Sequence, residues 1–443
     1  MKPKILLLAG EESGVLYAER LAEWLRSSGA EIRGYGDYGF KTADLAVFGI
    51  WEVLRRIFYF LGVARTMKRA IREWRPDVVV TIDYPGMNLK LAAYAKGLGI
   101  PSVHIVCPQV WAWHRGRIPK VAAALTELLC FFPFEPEIFK GTGLNAKFIG
   151  HPLVGMVREE SGRLDGKTEK HMGTDPESSV GTDPVKNKGT GPEGFSFSDK
   201  NKRIVALLPG SRIGEIRRIL PRLLKAVALI ARGQTLANSK GQALKTRGQT
   251  LKIVIPAANE MAEREIGRII ASFDGLPPIE VQRGKARALL RAADCAAVAS
   301  GTATLEAALV RCPTVLVYAV SPLLGWILRR AITGVRHVGL ANIIAEKCGF
   351  EPPMLELLQE AFTPEAVADQ LKAWLSDEVA RAAATQKLDD VMAYLETDGE
   401  PLQIAAQEIM SQCGGDRFVV QSPDEKEAMT MDTHDRKMYA RNP

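Results

Sequence analysis

The stretch DVVVTID, residues 77–83, decides the fold, because it places a run of β-branched and apolar residues between two aspartates. A strand that is apolar at nearly every position, rather than at alternate ones, is typical of a parallel sheet covered on both faces. Similar runs lie at 4–10, 101–107 and 127–134, separated by longer helical patterns. The first part of the chain is therefore predicted to consist of βαβ units around a parallel sheet.

The same alternation restarts at RIVALLPGSR (203–212) and continues through 252–259, 295–310 and 313–320. It predicts a second domain of the same α/β class. The predicted architecture is two Rossmann-like parallel-sheet domains facing a cleft. Such sheets bind their ligands at the carboxyl ends of the strands.

A tract with a Gly-Thr-x-Pro repeat, starting at positions 173, 181 and 189, separates the two domains. It is rich in Gly, Pro and charge and has little to bury. We therefore expect an N-terminal domain at 1–156, a disordered insert at 157–201 and a C-terminal domain at 202–412, whose final helices return to the first domain. Residues 413–443 are expected to form a flexible tail.

The composition, 47% hydrophobic and 25% charged residues in a chain of 443, is that of a globular protein. The six cysteines show no Cys-x-x-Cys or Cys/His spacing, which argues for reduced intracellular thiols and against a zinc site or a disulfide framework. The start MKPKILLLAG has neither a secretory signal pattern nor an apolar run of membrane-spanning length.

The net charge of +7 is spread unevenly, and basic residues flank the apolar stretch IFYFLGVA at 57–64. This mixture suits an anionic lipid surface. The alternative is an ordinary amphipathic helix whose basic face is solvated. Nucleic acid is not predicted as a partner, because no recognition module is present.

Two strand-to-helix turns of the second domain are candidate anion sites. In LLPGSRIGEI (207–216), Gly210, Ser211 and the helix amides can face an anion while Arg212 adds charge. In ASGTATLEAAL (299–309), Ser300, Gly301 and Thr302 stand at a helix start, and Glu306 can accept hydrogen bonds from ribose hydroxyls. Two such sites in one domain fit a nucleoside diphosphate, although each is also compatible with a turn that has no ligand.

Asp83 ends its strand in the first domain, and a partly buried carboxylate there can act as a general base. The alternative is an aspartate that only bonds the amides of the following turn. AGEESG (9–14) offers Glu11, Ser13 and Gly14 at another strand-to-helix turn. The domains contain no Asp-x-Asp pair to hold a divalent metal, so we expect no metal and no cofactor.

Taken in order, a set of motifs resembles the lipid-A-disaccharide synthase family, which are inverting glycosyltransferases of the two-domain GT-B type. The motifs are AGEESG (9–14), LAVFGIWEVL (45–54), IDYPGMN (82–88), VWAWHRGR (110–117), FPFE (132–135), IGHP (149–152), LLPGSR (207–212), SGTATLE (300–306) and ELLQ (356–359). The resemblance implies transfer of diacylglucosamine from a UDP-diacylglucosamine donor to an acylated glucosamine 1-phosphate acceptor, with release of UDP.

The resemblance also implies roles for individual residues. Asp83 is the expected base for the acceptor hydroxyl, without a covalent intermediate. The residues expected to hold UDP and the donor are Gly210, Ser211, Arg212, Ser300, Gly301, Thr302, Glu306, Asn342 and Gln359. Those expected to line the cleft on the acceptor side are Glu11, Ser13, Gly14, Asn88 and His151. It implies a cytoplasmic enzyme held peripherally on the inner membrane, and the oligomeric state stays open, a homodimer included.

The loop VWAWHRGRIPK (110–120) joins this interpretation through its charges. Pro119 suits the first turn of a helix, where Arg117 and Lys120 are unfavourable unless an anion arrives. The implied chemistry supplies a sugar 1-phosphate or a lipid headgroup. The residues predicted to form this acceptor wall are Trp113, Arg115, Arg117 and Lys120, and at least one of the two tryptophans is expected to be core.

Four positions depart from the family pattern: Val15, Gly86, Ala319 and Ala341. They keep three alternatives open. The first is another GT-B enzyme that acts on an isoprenoid-linked or other lipid acceptor. The second is a UDP-sugar epimerase, and the third is a non-catalytic lipid or nucleotide binder.

Overall fold

A computed structural model describes residues 2–10, 12–40, 57–169, 202–233, 250–320, 325 and 334–414. Contacts divide the chain into two units, one of Met1–Gly155 with Leu395–Pro443 and one of Met156–Tyr394. Each unit contains a six-stranded parallel sheet with helices between its strands. The predicted class of two Rossmann-like domains is confirmed.

The first sheet has the strand order β2-β1-β3-β4-β5-β6, and every neighbouring pair is parallel. Its strands are β1 (Lys4–Ala9), β2 (Glu31–Arg33), β3 (Val78–Ile82), β4 (Ser102–Ile105), β5 (Glu127–Cys130) and β6 (Asn145–Phe148). The decisive apolar run is β3, and all five of its residues are buried, as the pattern predicts.

The helices of this unit are Glu12–Ser27, Ile57–Trp74, Pro85–Gly97, Ile118–Ala124, Glu135–Ile138 and Pro401–Gln412. Helix Ile57–Trp74 buries Val63, Met67 and Ile71 in a cluster with residues of β1 and β3. Helical spacing explains this, because residues four apart lie on the same face. No helix among the described ranges is both long and apolar enough to cross a bilayer.

Helix Pro401–Gln412 lies far along the chain but packs on helix Glu12–Ser27 of the first unit. Lys147 Nζ contacts Glu408 at 2.6 Å and the buried Glu127 at 3.4 Å. The side-chain amide of Gln412 also donates to Glu127, at 3.1 Å. The last helix therefore supplies partners for a carboxylate that would otherwise be buried without enough hydrogen bonds.

The second sheet has the order β12-β11-β10-β7-β8-β9, again parallel throughout. Its strands are β7 (Lys202–Leu208), β8 (Thr250–Ala257), β9 (Ile279–Arg283), β10 (Cys295–Ala299), β11 (Thr314–Tyr318) and β12 (Leu355–Leu358). Its helices are Ile213–Gly233, Glu260–Ile270, Ala286–Ala292, Thr302–Leu309, Leu340–Cys348, Pro364–Ser376 and Glu378–Leu395.

Helix Pro152–Glu169 carries the chain from the first unit into the second. It corrects the predicted insert, because 157–169 is helical rather than irregular. Its first turns are fixed by the buried residues Leu153, Val154 and Met156. Once a turn is nucleated by packing, the polar Arg and Glu residues that follow extend the helix at little cost. The rest of the predicted insert, 170–201, and the tail from 415 onward lie outside the described residues.

A second correction concerns 127–134, which was predicted to be strand throughout. Strand β5 ends at Cys130, because the chain turns at Phe131–Phe134. The backbone N–H of Phe132 donates to the buried carboxylate of Glu135 at 3.1 Å, which replaces the sheet bond of a longer strand.

Candidate active site

The order of strands reverses once in each sheet, between β1 and β3 in the first and between β7 and β10 in the second. Open α/β sheets bind ligands beyond the carboxyl ends of their strands at such points. Asp83 directly follows β3, Arg212 follows β7, and Ser300 follows β10. The main candidates of both units therefore lie where the topology places a ligand.

Asp83 occupies a strained position at the end of β3. Its φ is 50° and that of Tyr84 is 49°, so two consecutive non-glycine residues adopt the left-handed conformation. Asp83 Oδ1 accepts a 2.8 Å hydrogen bond from the backbone N–H of Tyr84. Burial raises the pKa of the Asp83 carboxyl, and this hydrogen bond lowers it in part. The site combines a half-buried carboxylate with a backbone that only its surroundings can hold.

Gly10, at the end of β1, makes room for this turn. A Cβ atom at Gly10 would lie 2.7 Å from Cγ and 2.9 Å from Cβ of Tyr84, which real side chains do not tolerate. The Tyr84 side chain therefore rests directly on the backbone of β1. A glycine is required there by close approach and not by its own torsion.

Asn88, which was predicted to line the acceptor side, is completely buried in the first turn of helix Pro85–Gly97. Its Nδ2 donates to the carbonyls of Asp83 at 2.8 Å and Ile82 at 3.1 Å. Its Oδ1 accepts from the hydroxyl of Tyr35 at 2.9 Å. The Asn88 side chain therefore contacts the backbone that carries Asp83.

The loop that contains the two tryptophans divides into a buried and an exposed half. Trp111 is 2% exposed, and its indole N–H donates to Glu135 Oε1 at 3.0 Å. Complete burial raises the pKa of Glu135 to about 8, and the N–H donors of Trp111 and Phe132 lower it in part. Trp111 is the core tryptophan that the sequence predicts.

Trp113 is 44% exposed, and its ring lies 5.9 Å from that of His114, which has a positive φ. Cationic side chains follow it in a short 3₁₀ turn and the helix Ile118–Ala124. These exposed cationic residues are Arg115, Arg117 and Lys120. The predicted acceptor wall thus presents one aromatic ring and several positive charges at the surface of the first unit.

His151, also predicted on the acceptor side, is buried among the rings of Tyr17, Phe131 and Phe132. Its Nδ1 accepts from the backbone N–H of Leu153 at 3.2 Å, which places the proton of the neutral ring on Nε2. Burial lowers the pKa of His151 to about 3. The ring caps the start of helix Pro152–Glu169.

In the second unit, Gly210 joins β7 to helix Ile213–Gly233 with φ 103°, a conformation that favours glycine. Ser211 and Arg212 are exposed beside it. Arg212 Nη1 lies 3.3 Å from Glu215 Oε1, one turn into the helix. Helix N–H groups, a hydroxyl and a guanidinium therefore stand at one turn, as an anion site requires.

The neighbouring turn after β10 contains Ser300, Gly301 and Thr302, and Thr302 begins helix Thr302–Leu309. Glu306 lies one turn further on, with Arg287 Nη1 at 3.9 Å. Burial raises the pKa of Glu306, and Arg287 opposes this effect. Since β10 pairs directly with β7 in parallel, both helix starts lie side by side at the carboxyl end of the sheet.

Two further residues, predicted to bind the sugar donor, form hydrogen bonds within the second unit. Asn342 is completely buried, and its amide donates to Met354 O and to Glu356, both at 2.8 Å. Gln359 follows β12 with φ 52°, and its Oε1 accepts from the N–H of Val320 at 3.3 Å. Asn342 fastens its helix to β12, whereas Gln359 stands at the carboxyl edge.

The remaining acceptor-side predictions fall at the start of helix Glu12–Ser27. Glu11 lies outside the described residues, and Ser13 is helical. A Cβ atom added at Gly14 would lie at ordinary van der Waals distance from Ile82, so the glycine backbone packs close to the end of β3. Of the departures from the family pattern, Ala319 and Ala341 are buried and Gly86 is exposed.

Sequence reasoning missed a group of buried partners. Cys107 lies just after β4, and Cys130 ends the neighbouring strand β5. Together with Glu135 they place potential ligand atoms within 4.8 Å of one another, a metal-compatible set that no spacing rule detects. Tyr35, which bonds Asn88, also gave no signal. Glu135 was visible only as the last residue of the FPFE motif. Contacts between distant segments create each of these features.

Comparisons with known proteins identify the family of the chain. The sequence pattern of the family described as lipid-A-disaccharide synthetase matches residues 5–179 and 183–410. The chain is 32% identical over 413 residues to the lipid-A-disaccharide synthase of Anaeromyxobacter dehalogenans, covering 91% of this chain and 96% of that protein.

Among solved structures, a putative UDP-N-acetylglucosamine 2-epimerase from Listeria monocytogenes has a TM-score of 0.54 at 12% identity, covering 94% of this chain and 98% of that one. The calicheamicin glycosyltransferase CalG4 has a TM-score of 0.51 at 15% identity, covering 93% and 98%. At this identity the structural likeness shows the fold alone, which glycosyltransferases and epimerases share.

Proposed function

The chain belongs to the lipid-A-disaccharide synthetase family, and from this premise we propose that it joins two acylated glucosamines, using UDP-2,3-diacylglucosamine as donor and 2,3-diacylglucosamine 1-phosphate as acceptor. It is a glycosyltransferase, with a UDP-sugar donor and a glycosyl acceptor as its substrates. The proposed products are the β-1,6-linked disaccharide 1-phosphate and UDP.

The observation that carries this proposal is Asp83 at the switch point of the first sheet. Its carboxylate takes the proton of the acceptor 6-hydroxyl as the hydroxyl oxygen attacks the anomeric carbon of the donor. The bond from that carbon to the UDP oxygen breaks, and UDP leaves with the bonding electron pair. One displacement inverts the anomeric centre, so a single carboxylate suffices. The raised pKa of Asp83 brings its basicity closer to that of a useful proton acceptor.

The donor is assigned to the second unit. Arg212 and the N-terminus of helix Ile213–Gly233 supply positive charge to the diphosphate, which becomes more negative as the bond breaks. The hydroxyls of Ser300 and Thr302 supply further donors, and Glu306 accepts from the ribose. The leaving group is thus stabilised by protein groups, and the proposal needs no metal.

The acceptor phosphate is assigned to the exposed cations Arg115, Arg117 and Lys120 of the first unit. A sugar 1-phosphate offers oxygens that guanidinium groups bind in pairs. Trp113, with its exposed ring, can pack on the sugar face or on an acyl chain. This assignment gives a use to a surface that otherwise concentrates like charges.

We also propose that helix Ile57–Trp74 attaches the protein to the cytoplasmic face of the inner membrane. Phe58 is 83% and Leu61 45% exposed. At about 100° per residue, these two and the exposed basic residues fall within about a third of the helix circumference, opposite the buried face. The basic residues are Arg65, Lys68, Arg69 and Arg72. Apolar residues among cations suit an anionic lipid surface.

Radiolabelled transfer tests the catalytic assignment. The wild type should convert both substrates to disaccharide and UDP, while Asp83→Ala and Asp83→Asn should bind UDP but lose transfer. Undiminished transfer by these variants removes Asp83 as the base. If the wild type consumes UDP-sugar without an acceptor, the protein is an epimerase. If it transfers to an isoprenoid-linked sugar, it is a different transferase. If it binds UDP but transfers nothing, it is a non-catalytic binder.

Vesicle flotation tests the membrane assignment. The protein should float with phosphatidylglycerol vesicles at low salt and much less with phosphatidylcholine vesicles. Phe58→Ser with Leu61→Ser should abolish flotation, whereas the matched exposed pair Met261→Ser with Val379→Ser should not. Equal flotation of both double variants would place membrane binding elsewhere. The proposal is compatible with a monomer and with the homodimer that the sequence leaves open.

A further inference from the structure

Asp83 and Tyr84 adopt a left-handed backbone conformation that two consecutive non-glycine residues do not favour. Left-handed torsions at non-glycine residues cost on the order of 1–3 kcal/mol each and persist only where the surrounding structure imposes them. Here Asp83 and Tyr84 both adopt them, and neither is a glycine. Some contact must therefore fix the peptide group between these two residues.

Asn88 makes that contact. The carbonyl of Asp83 belongs to the peptide that joins Asp83 to Tyr84, and it accepts from Asn88 Nδ2 at 2.8 Å. The same Nδ2 donates to Ile82 O at 3.1 Å and approaches Leu8 O, on the neighbouring strand β1, at 3.4 Å. The amide thus ties the ends of β1 and β3 to the peptide whose rotation sets the direction of the Asp83 side chain.

Tyr35 in turn fixes the orientation of the amide. Its hydroxyl donates to Asn88 Oδ1 at 2.9 Å, and both side chains are buried. If the amide were rotated by half a turn, Oδ1 would face three carbonyl oxygens, which repel it. The hydrogen bonds therefore specify one orientation, and burial excludes the water that could replace a lost partner.

We propose that Asn88 and Tyr35 are a positioning pair for Asp83: the Asn88 amide holds the strand-end turn that directs the carboxylate, and the Tyr35 hydroxyl holds the amide. This inference rests on the proposed role of Asp83 as the base. Neither residue needs to touch a substrate. Both act through the direction of the Asp83 carboxylate, to which the rate of proton transfer is sensitive.

Steady-state kinetics with each substrate varied up to saturation test the pair, and the melting temperature of each variant is measured in parallel. Tyr35→Phe, which removes one oxygen, should lower kcat about 10-fold with KM within about twofold of wild type, and Asn88→Ala should lower kcat about 100-fold, as misplacement of a reacting group does. Val79→Ala, a buried change in the same core cluster, is the control and should lower the melting temperature while leaving kcat unchanged.

A double variant separates positioning from a general loss of structure. In the Asp83→Asn background, Tyr35→Phe should not lower the residual rate further, because there is no base left to position. The inference is overturned if Tyr35→Phe and Asn88→Ala lose stability as Val79→Ala does but keep the wild-type kcat. It is also overturned if the effects of Tyr35→Phe and Asp83→Asn multiply. Full activity of Asp83→Asn alone would instead refute the proposed base.

Discussion

The indole N–H of Trp111 lies 3.0 Å from Glu135 Oε1, and both side chains are buried. This bond links the loop of the two tryptophans to the turn that ends β5. The ring of Trp111 also meets that of Phe134 edge to face, with centroids 5.4 Å apart. Trp111 therefore anchors the loop, whereas Trp113, two positions later, is exposed.

The two tryptophans should respond differently to substitution. Trp111→Ala should lower the free energy of unfolding by about 3–5 kcal/mol, because it leaves a large cavity and removes a donor from Glu135. Trp113→Ala should change stability by less than about 0.5 kcal/mol, as exposed substitutions do, and should raise the acceptor KM. Chemical denaturation and initial rates measure both. An equal loss of stability in the two variants would contradict the division of the loop.

Arg117 and Arg212 should separate the two substrates. Arg117→Ala should raise the acceptor KM by about 10-fold or more and leave UDP affinity unchanged, since charge-assisted hydrogen bonds contribute about 1.5–3 kcal/mol. Arg212→Ala should do the reverse, with weaker UDP binding and little change in acceptor KM. Calorimetry with UDP and initial rates provide the comparison, and Arg264→Ala is an exposed control. Parallel losses in both variants would remove the assignment of one substrate to each unit.

Asp83 should trade stability for activity. Because burial raises its pKa in the folded state, the folded protein holds the proton more tightly than the unfolded chain. The charged form is therefore disfavoured by folding, and this loss of stability is complete only above the folded pKa. Asp83→Asn should retain only a residual rate of transfer but be more stable than wild type at neutral pH. The advantage should vanish as the pH falls below the ordinary aspartate range, and a constant difference across pH in denaturation curves would contradict this sign.

His104 should contribute to acid sensitivity. It is completely buried in β4, its Nδ1 lies 2.7 Å from Thr81 Oγ1, and burial lowers its pKa to about 3. The unfolded chain takes up a proton near the ordinary histidine value, so stability present above that pH is lost as the pH falls toward 3. His104→Leu should flatten the fall in unfolding free energy below about pH 6.5. The exposed His114→Gln is the control, and equal slopes in wild type and His104→Leu would contradict the prediction.

Much of the fold could be predicted because parallel strands leave a local signal. The apolar run of β3 and the aspartate after it are adjacent in sequence, so both the strand and its candidate residue could be identified together. The same holds for Gly210 and Arg212 after β7. In such cases the residues of one turn are enough to name a candidate, since parallel sheets bind ligands at the carboxyl ends of their strands.

The supporting contacts could not be predicted, because they join distant segments. Tyr35 meets Asn88 across 53 positions, and Trp111 meets Glu135 across 24. No periodicity or spacing records such a pair. The helical stretch 157–169 was missed for a related reason, since its polar residues extend a helix that the buried Leu153 and Val154 begin. Packing of the first turn therefore makes this segment helical, although its composition alone predicts irregular structure.

The return of helix Pro401–Gln412 to the first unit sets an order of assembly during synthesis. The second unit is continuous from Met156 to Tyr394, so all of its residues have been made before this helix exists. The first unit begins at the start of the chain but lacks the Lys147 and Glu127 partners Glu408 and Gln412 until translation has passed them. The unit that is translated first is therefore completed last, and an early stop that removed only this helix would leave the Asp83 unit without its final layer.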